Sequence, residues 1–226
     1  IIDSPGRINI IGEHTDYNNG FVLPTAIDKK IQFKFKKNGS LKTCSIHSNN
    51  FDTGFSFKLD AVEKSEKQWE NYVLGVIYEI QQLSDKLQGF DCVLDSDIPV
   101  GSGISSSAAL ECGLAFGLNE LFDLNLSKQT IVELSQRAEH NFVGTKCGIM
   151  DQFASVMSKK DHVILLDCQS LDYQYVPIKI EPFTILLLNT NVSHNLASGE
   201  YNIRRSQCEE GVRVIKQKYA EVHSLR

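Results

Sequence analysis

The sequence predicts an α+β protein whose strands come in groups before and between helices, without regular βαβ alternation. Three observations carry that expectation. Residues 31–37, Ile-Gln-Phe-Lys-Phe-Lys-Lys, alternate apolar and polar with period two, as a half-exposed strand does. Residues 54–59 repeat the pattern. Residues 67–83 instead place Trp69, Tyr72, Val73, Val76, Ile77 and Ile80 on one helical stripe. After these, Gly89 to Asp95 reads as a strand and Ser105 to Leu121 as a helix of small and apolar residues. Ser127 can cap a helix running to about Phe142, because its hydroxyl can accept from a free N–H of the first turn. Gly144 beyond it suits the left-handed residue that ends helices. Val163 to Leu166 is a short buried strand, Pro177 to Asn189 carries another, and Glu200 to Tyr219 forms a last helix. The pattern restarts after a charged stretch flanked by Pro177 and Pro182. The expected division is therefore one domain over residues 1–176 and the beginning of a second over residues 177–226.

Composition narrows the function. The chain has 226 residues, 42% of them hydrophobic and 23% charged, as in an ordinary folded protein. Its 23 basic and 28 acidic residues leave a formal charge of −5, which excludes general nucleic-acid binding through a basic surface. No apolar run approaches the ~20 residues of a membrane span, so no membrane segment is expected. The six cysteines, Cys44, Cys92, Cys112, Cys147, Cys168 and Cys208, form no C-x-x-C pair and no zinc spacing. They read as reduced, buried thiols of a cytoplasmic protein. The opening Ile-Ile-Asp-Ser-Pro has neither an initiator Met nor the basic n-region of a leader, and reads as the start of a trimmed chain.

Three constellations carry chemistry. From Asp97 to Leu110 a strand leads into a Gly/Ser loop and then into a helix, through Gly101-Ser102-Gly103-Ile104-Ser105-Ser106-Ser107. Free N–H groups and the positive dipole end of that helix suit phosphate oxygens. Glycines let a ligand approach the backbone, and serine hydroxyls can add hydrogen bonds or reach Mg2+. Three serines exceed what one cap needs, and no Gly-Lys-[Ser/Thr] follows, so this is not a Walker loop. The plain alternative is a capped helix after a flexible turn. The second constellation runs from Gly6 to Tyr17 and sets Glu13, His14 and Asp16 within four residues, before the turn Asn18-Asn19-Gly20. Several acceptors and an imidazole suit the hydroxyls of a sugar. A metal is the weaker reading, since no second histidine stands nearby, and a solvated polar loop is the plain one. The third is Cys147-Gly148-Ile149-Met150-Asp151-Gln152-Phe153. Asp151, among apolar residues after a glycine turn, can orient or deprotonate a hydroxyl if a cation such as Arg7 stands near it. Otherwise it caps a helix. Glu139, earlier on a helix, can offer a carboxylate to Mg2+ or simply be exposed. His47, His162 and His223 read as surface or satisfied core histidines.

Together these segments resemble the GHMP small-molecule kinases. GRINIIGEHTDYNNGFVLP is similar to the galactokinase signature, and DIPVGSGISSSAALE to the family's ATP-binding motif. AEHNFVGTKCGIMDQFASV resembles the galactokinase segment around its catalytic aspartate, and SGEYNIRRSQCEEGV its sugar-proximal helix. The four stand in order through essentially the whole chain. The resemblance implies the family's N-terminal domain, a ribosomal protein S5 domain 2-like mixed sheet packed on helices, plus an incomplete second α+β domain. It implies transfer of the γ-phosphoryl group of ATP to O1 of α-D-galactose, giving galactose 1-phosphate at the head of the Leloir pathway. Carried over residue by residue, Asp151 is the catalytic base and Arg7 the transition-state stabiliser. Glu13, His14, Thr15 and Asp16 form the sugar loop, joined by Gly148 and Tyr201. Gly101, Ser102, Gly103, Ile104, Ser105, Ser106 and Ser107 cradle the phosphates, and Trp69 lies near the adenine or else belongs to the core. Ser107, or Ser106, and Glu139 hold Mg2+. The implied partners are galactose and MgATP, for a monomer in the cytoplasm that binds neither nucleic acid nor membrane. The family carries a third, glycine-rich motif in a C-terminal domain, and residues 1–226 do not contain it. Weak or no turnover is therefore expected of residues 1–226 alone. Two other readings compete: a kinase for a related sugar (N-acetylgalactosamine, arabinose or galacturonate) and a non-catalytic galactose sensor. Sensors of this kind lose residues in the serine loop, which is intact here.

Overall fold

The computed structural model describes residues 1–99, 101–189 and 199–226. The chain opens on β1 (Ile2–Asn9) and, after a single 3-10 turn at Asp16–Asn18, forms β2 (Phe21–Val22) and β3 (Pro24–Lys37). β4 (Thr43–Ser48) and β5 (Thr53–Lys58) precede α1 (Gln68–Gln81), β6 (Phe90–Ser96), α2 (Ser106–Phe122) and α3 (Lys128–Ala138). α4 (Met150–Met157), β7 (His162–Asp167), β8 (Tyr173–Pro177) and α5 (Glu200–Lys216) follow. One sheet has the order β1-β3-β6-β4-β5, with β4 and β6 parallel and the other neighbours antiparallel. A smaller antiparallel sheet has the order β2-β7-β8. The result is the mixed α+β fold that the patterns predict.

The period-two run in β3 turns Ile31 and Phe33 into the core and leaves Lys34 and Lys36 in water. The stripe on α1 buries Val73, Val76, Ile77 and Ile80 completely. Its first two members, Trp69 and Tyr72, lie at the end of the helix that reaches the cavity described below. α2 is apolar on every side because it is central: it packs on β1, β3, α1, α3 and α4. Its small residues set how closely it lies on the sheet. A Cβ at Gly113 would stand 2.3 Å from Phe33 Cε2 and 2.6 Å from Ser4 Cβ. A second apolar cluster, with Val22, Val132, Phe153, Ile164 and Leu166, joins α4 to the small sheet.

Four expectations are corrected. The helix capped by Ser127, whose hydroxyl does accept from Thr130 N at 3.0 Å, stops as an α-helix at Ala138. A π turn, Glu139–Val143, takes it to Gly144 at φ +90°. No strand forms beyond Pro177 as far as residue 189. Among the described residues no strand lies beside that stretch to complete a ladder, and Phe183, Leu186 and Leu188 stand exposed. The last helix ends at Lys216 rather than Tyr219. β1, β2, β4, β8 and α4, for which the residues show no clear period, are additional. In β1 the pattern is interrupted by Pro5-Gly6, where the pairing register with β3 shifts. None of the described helices is long and apolar enough to cross a membrane.

Gly113→Ala tests the α2–sheet contact. Alanine favours an isolated helix by about 1 kcal/mol, but overpacking against Phe33 and Ser4 is expected to lower stability by about 1–3 kcal/mol. A urea midpoint at or above that of the unsubstituted chain would show that the contact yields freely.

Candidate active site

The bulge in β1 brings two distant segments together. Its glycine admits the Ser-rich loop: a Cβ at Gly6 would stand 2.8 Å from Ile104 O, and Arg7 N donates to that same oxygen at 3.1 Å. The Arg7 side chain is then aimed along the loop. Its Nη1 donates to Gly103 O at 2.8 Å and its Nε to Asp151 Oδ1 at 2.7 Å. Gly101, Gly103 and Ser105 all take left-handed backbone conformations, at φ +71°, +77° and +62°. Glycine does so freely, whereas a serine is strained by roughly 1 kcal/mol or more. Ser105 does not cap α2. Its hydroxyl donates to Asp151 Oδ2 at 2.6 Å, which leaves the first turn of α2 open toward the cavity. Both oxygens of Asp151, in the first turn of α4, are thus held, one from β1 and one from the Ser-rich loop.

The polar loop after β1 is fixed from within. Thr15 Oγ1 lies 2.7 Å from both Gly12 O and Phe21 O, with its one proton shared between these two acceptors, so this hydroxyl closes the loop and does not line the cavity. His14, at φ +61°, sets Nδ1 2.7 Å from Tyr17 Oη. Glu13 Oε1 accepts from Asn9 Nδ2 at 3.1 Å. Asp16 is buried and seated on Gly148, where a Cβ would stand 1.9 Å from Asp16 Oδ2; only glycine fits there. Tyr201 on α5 accepts from Gly148 N at 3.3 Å and meets Tyr17 edge-on, ring centroids 5.3 Å apart. Asn202 and Arg205 fasten the same helix to the loop over residues 144–147. Asn202 Nδ2 donates to Gly144 O and Arg205 Nη1 to Lys146 O, both at 2.9 Å.

All of this surrounds one cavity of about 890 Å3. Arg7, Glu13, His14, Asp16, Asp151 and Tyr201 line one part of it, and Gly101, Gly103, Ile104, Ser105, Ser106, Ser107 and Glu139 the next. Trp69, Tyr72 and Phe51 also line it, with Trp69 edge-on to Phe55 at 5.1 Å. Three predicted residues stay behind the lining: Thr15, Gly148, and Ser102, whose hydroxyl donates back to Pro99 O at 2.6 Å. Ser48, Asn50 and Thr145, which stand in none of the motifs, also line the cavity. Ser48 and Thr145 have buried hydroxyls without a hydrogen-bond partner. Nor was the buried pair Glu111 and Gln152 singled out: one polar residue per apolar helix face looks the same on paper whether it is buried or exposed.

The charges are unbalanced. Burial, and then the Asp151 carboxylate, push Asp16 up to about 6. Burial and the same Asp151 charge raise Glu139, which sits in the π turn and is buried rather than exposed. Glu111, behind it, is raised by burial and by Glu139. The Ser107 hydroxyl partly offsets the rise at Glu139. A cavity with four carboxylates in its wall, Glu13, Asp16, Glu139 and Asp151, and one arginine among them suits a cation as part of its ligand. Among the described residues no three His, Cys, Asp or Glu side chains gather as a ready-made metal cage. One carboxylate beside one serine hydroxyl fits an ion such as Mg2+, which keeps waters and takes substrate phosphates as further ligands.

Comparison with known proteins agrees with this geometry. Residues 1–37 match the galactokinase galactose-binding signature and residues 71–159 the GHMP kinases N terminal domain. A galactokinase of Thermosipho africanus is 48% identical over 95% of this chain and 59% of its own length. That of Thermotoga maritima is 42% identical over 96% and 60%. The crystal structure of Lactococcus lactis galactokinase complexed with galactose superposes at a TM-score of 0.94 and 36% identity, over 99% of this chain and 58% of that one. This chain carries a match to the GHMP kinase N-terminal domain at residues 71–159. It spans less than two thirds of the length of these relatives. The family fold reaches further: Methanococcus jannaschii mevalonate kinase, 18% identical, superposes at 0.63 over 79% of the chain.

The raised carboxylates make a pH prediction. The folded state holds a proton on Asp16 that the unfolded chain releases near its ordinary value of 3.8. Ligand-free stability from this group is therefore present at low pH and lost as pH rises from about 4 through 6. Glu139 and Glu111 act with the same sign. Asp16→Asn is expected to flatten the decline without abolishing it. Urea midpoints between pH 4.5 and 7.5 that fall equally in both forms would contradict this.

Proposed function

We propose that this chain is the sugar- and nucleotide-binding part of a galactokinase, which moves the γ-phosphoryl group of ATP to O1 of α-D-galactose. The observation that carries the reading is the double engagement of Asp151. One of its oxygens is bound by Arg7, beside the polar loop, and the other by Ser105 of the Ser-rich loop, in the wall of one cavity. A hydroxyl presented by the first loop and a phosphate held by the second would meet at that carboxylate.

In this reading Glu13, His14, Asp16 and Tyr201 hold the hydroxyls of the sugar. Gly148 admits Asp16. Thr15 keeps the loop closed, and Ser102 folds its own loop. Backbone N–H groups from Gly101 to Ser107, at the open end of α2, receive the phosphates. Trp69 and Tyr72 flank the base. Asp151 orients the O1 hydroxyl and takes its proton as the new O1–phosphorus bond forms and the bond from phosphorus to the ADP oxygen breaks. Arg7 faces the charge that spreads over the transferred group. Ser107 and Glu139 would hold Mg2+, whose charge, when it is bound, neutralises the phosphate oxygens. Free thiols at all six cysteines, five of them buried, support a cytoplasmic setting.

An ADP-release assay over a panel of sugars, on the full-length protein, tests the substrate. Galactose-dependent ADP formation is expected; a preference for N-acetylgalactosamine, arabinose or galacturonate, or no turnover with any sugar, would refute the reading. Asp151→Asn is expected to lower kcat by on the order of 10²-fold or more while both substrates still bind. Near-normal turnover would remove Asp151 from its role. His14→Ala should chiefly raise the KM for galactose. A rise confined to the KM for ATP would mean that the polar loop serves the nucleotide instead.

A further inference from the structure

Asp151 and Gln152 are neighbours in the first turn of α4, and helical geometry turns successive side chains about 100° apart. Asp151 faces the cavity. Gln152 faces inward, toward α2 and the π turn, and is completely buried. Its Nε2 donates to Glu139 Oε2 at 2.9 Å. Glu111 Oε2 lies 3.5 Å from the same nitrogen and Cys147 Sγ 3.6 Å. Its Oε1 has no partner. Burying an amide with one end unsatisfied is unfavourable, and an apolar side chain of the same length would fill the space at less cost. The feature an apolar residue cannot supply is the N–H aimed at Glu139. The Glu139 carboxylate is thus held from behind by Gln152, in the wall of the cavity that Ser107 also lines.

We propose that Gln152 is a positioning residue: through one hydrogen bond it fixes the Glu139 carboxylate for a divalent cation and ties that cation's place to the helix that carries Asp151. The inference rests on the assignment of Glu139 to the metal in the kinase reading above. Groups that orient a metal-binding carboxylate from behind typically change metal affinity by about 10- to 100-fold when removed.

The test is Q152M, which keeps side-chain length and apolar packing and removes the N–H. In the full-length protein saturated with ADP, Mn2+ binding is followed by electron paramagnetic resonance. The expected result is Mn2+ affinity about 10-fold lower or worse, with the KM for galactose unmoved and the melting temperature little changed. A folded Q152M that binds Mn2+ as the unsubstituted protein does would overturn the proposal, since a packing role alone would leave that affinity intact. If Q152M does not fold, the unsubstituted, 15N-labelled protein decides. The Gln152 side-chain amide resonances should shift when Mg2+ is added to the ADP-saturated form, and resonances that stay in place would overturn the proposal. Failure of the kinase reading itself looks different: the unsubstituted protein would then bind no Mn2+ with ADP, and the inference would fall with it.

Discussion

The Arg7–Asp151 ion pair joins residues 144 positions apart, and much of the site's geometry follows from it. β1 must carry a bulge for Arg7 to reach inward, and the bulge needs Gly6 because Ile104 O lies against it. Arg7 also binds Gly103 O, so the loop that approaches β1 is clamped by the same guanidinium that holds the carboxylate. Side chains of Arg7 and Asp151 are only 14% and 27% exposed, so this pair is screened less than a surface ion pair, which contributes about 0–1 kcal/mol. Removing either member would leave the other partly buried without its main partner, which is the more damaging half of the asymmetry for such pairs.

The strain in the Ser-rich loop has the same origin. A serine in the left-handed region is unfavourable unless its surroundings determine it. At Ser105 the compensation is a short hydrogen bond to a carboxylate, stronger than one between neutral groups. Because that hydroxyl serves Asp151, it is unavailable as a helix cap, and the N–H groups at the start of α2 remain for a ligand. One local choice therefore orients the carboxylate and leaves the helix N-terminus uncapped by that side chain.

Much of this was legible in the sequence, but unevenly. The period of β3 and the stripe on α1 were plain because their apolar residues repeat over several turns or pleats. The four motifs marked the cavity wall, since loops rich in Gly, Ser and acidic residues leave few structural roles to compete with a binding role. What one chain cannot display is contact across sequence distance, and so the meeting of Arg7 with Asp151 and of Asp16 with Gly148 emerged only from the fold. β1 was hidden by Pro5-Gly6, the residues that make its bulge useful. The stretch after Pro177 was misread for the opposite reason. Its apolar residues suit a strand, but strand structure is a property of pairs, and no partner lies beside it among the described residues. The π turn was equally invisible, because inserting one residue at a helix end leaves no compositional mark.

Electrostatics explains why these contacts sit together. The Asp151 charge raises the free energy of the charged forms of Asp16 and Glu139, and the ligand-free cavity has one arginine in its wall to offset these carboxylates. A fold selected for ligand-free stability alone would replace such residues with amides or apolar groups. Their presence beside an open helix N-terminus makes sense if the ligand is mixed in character. It would bring hydroxyls for the acceptors, anionic oxygens for the N–H groups, and a cation between the phosphates and Glu139. A sugar together with a metal-bound nucleotide has that character, and either one alone would leave one part of the wall without a partner. On the proposed function, the carboxylates that weaken the ligand-free fold are the groups that distinguish a sugar and nucleotide bound together from either component.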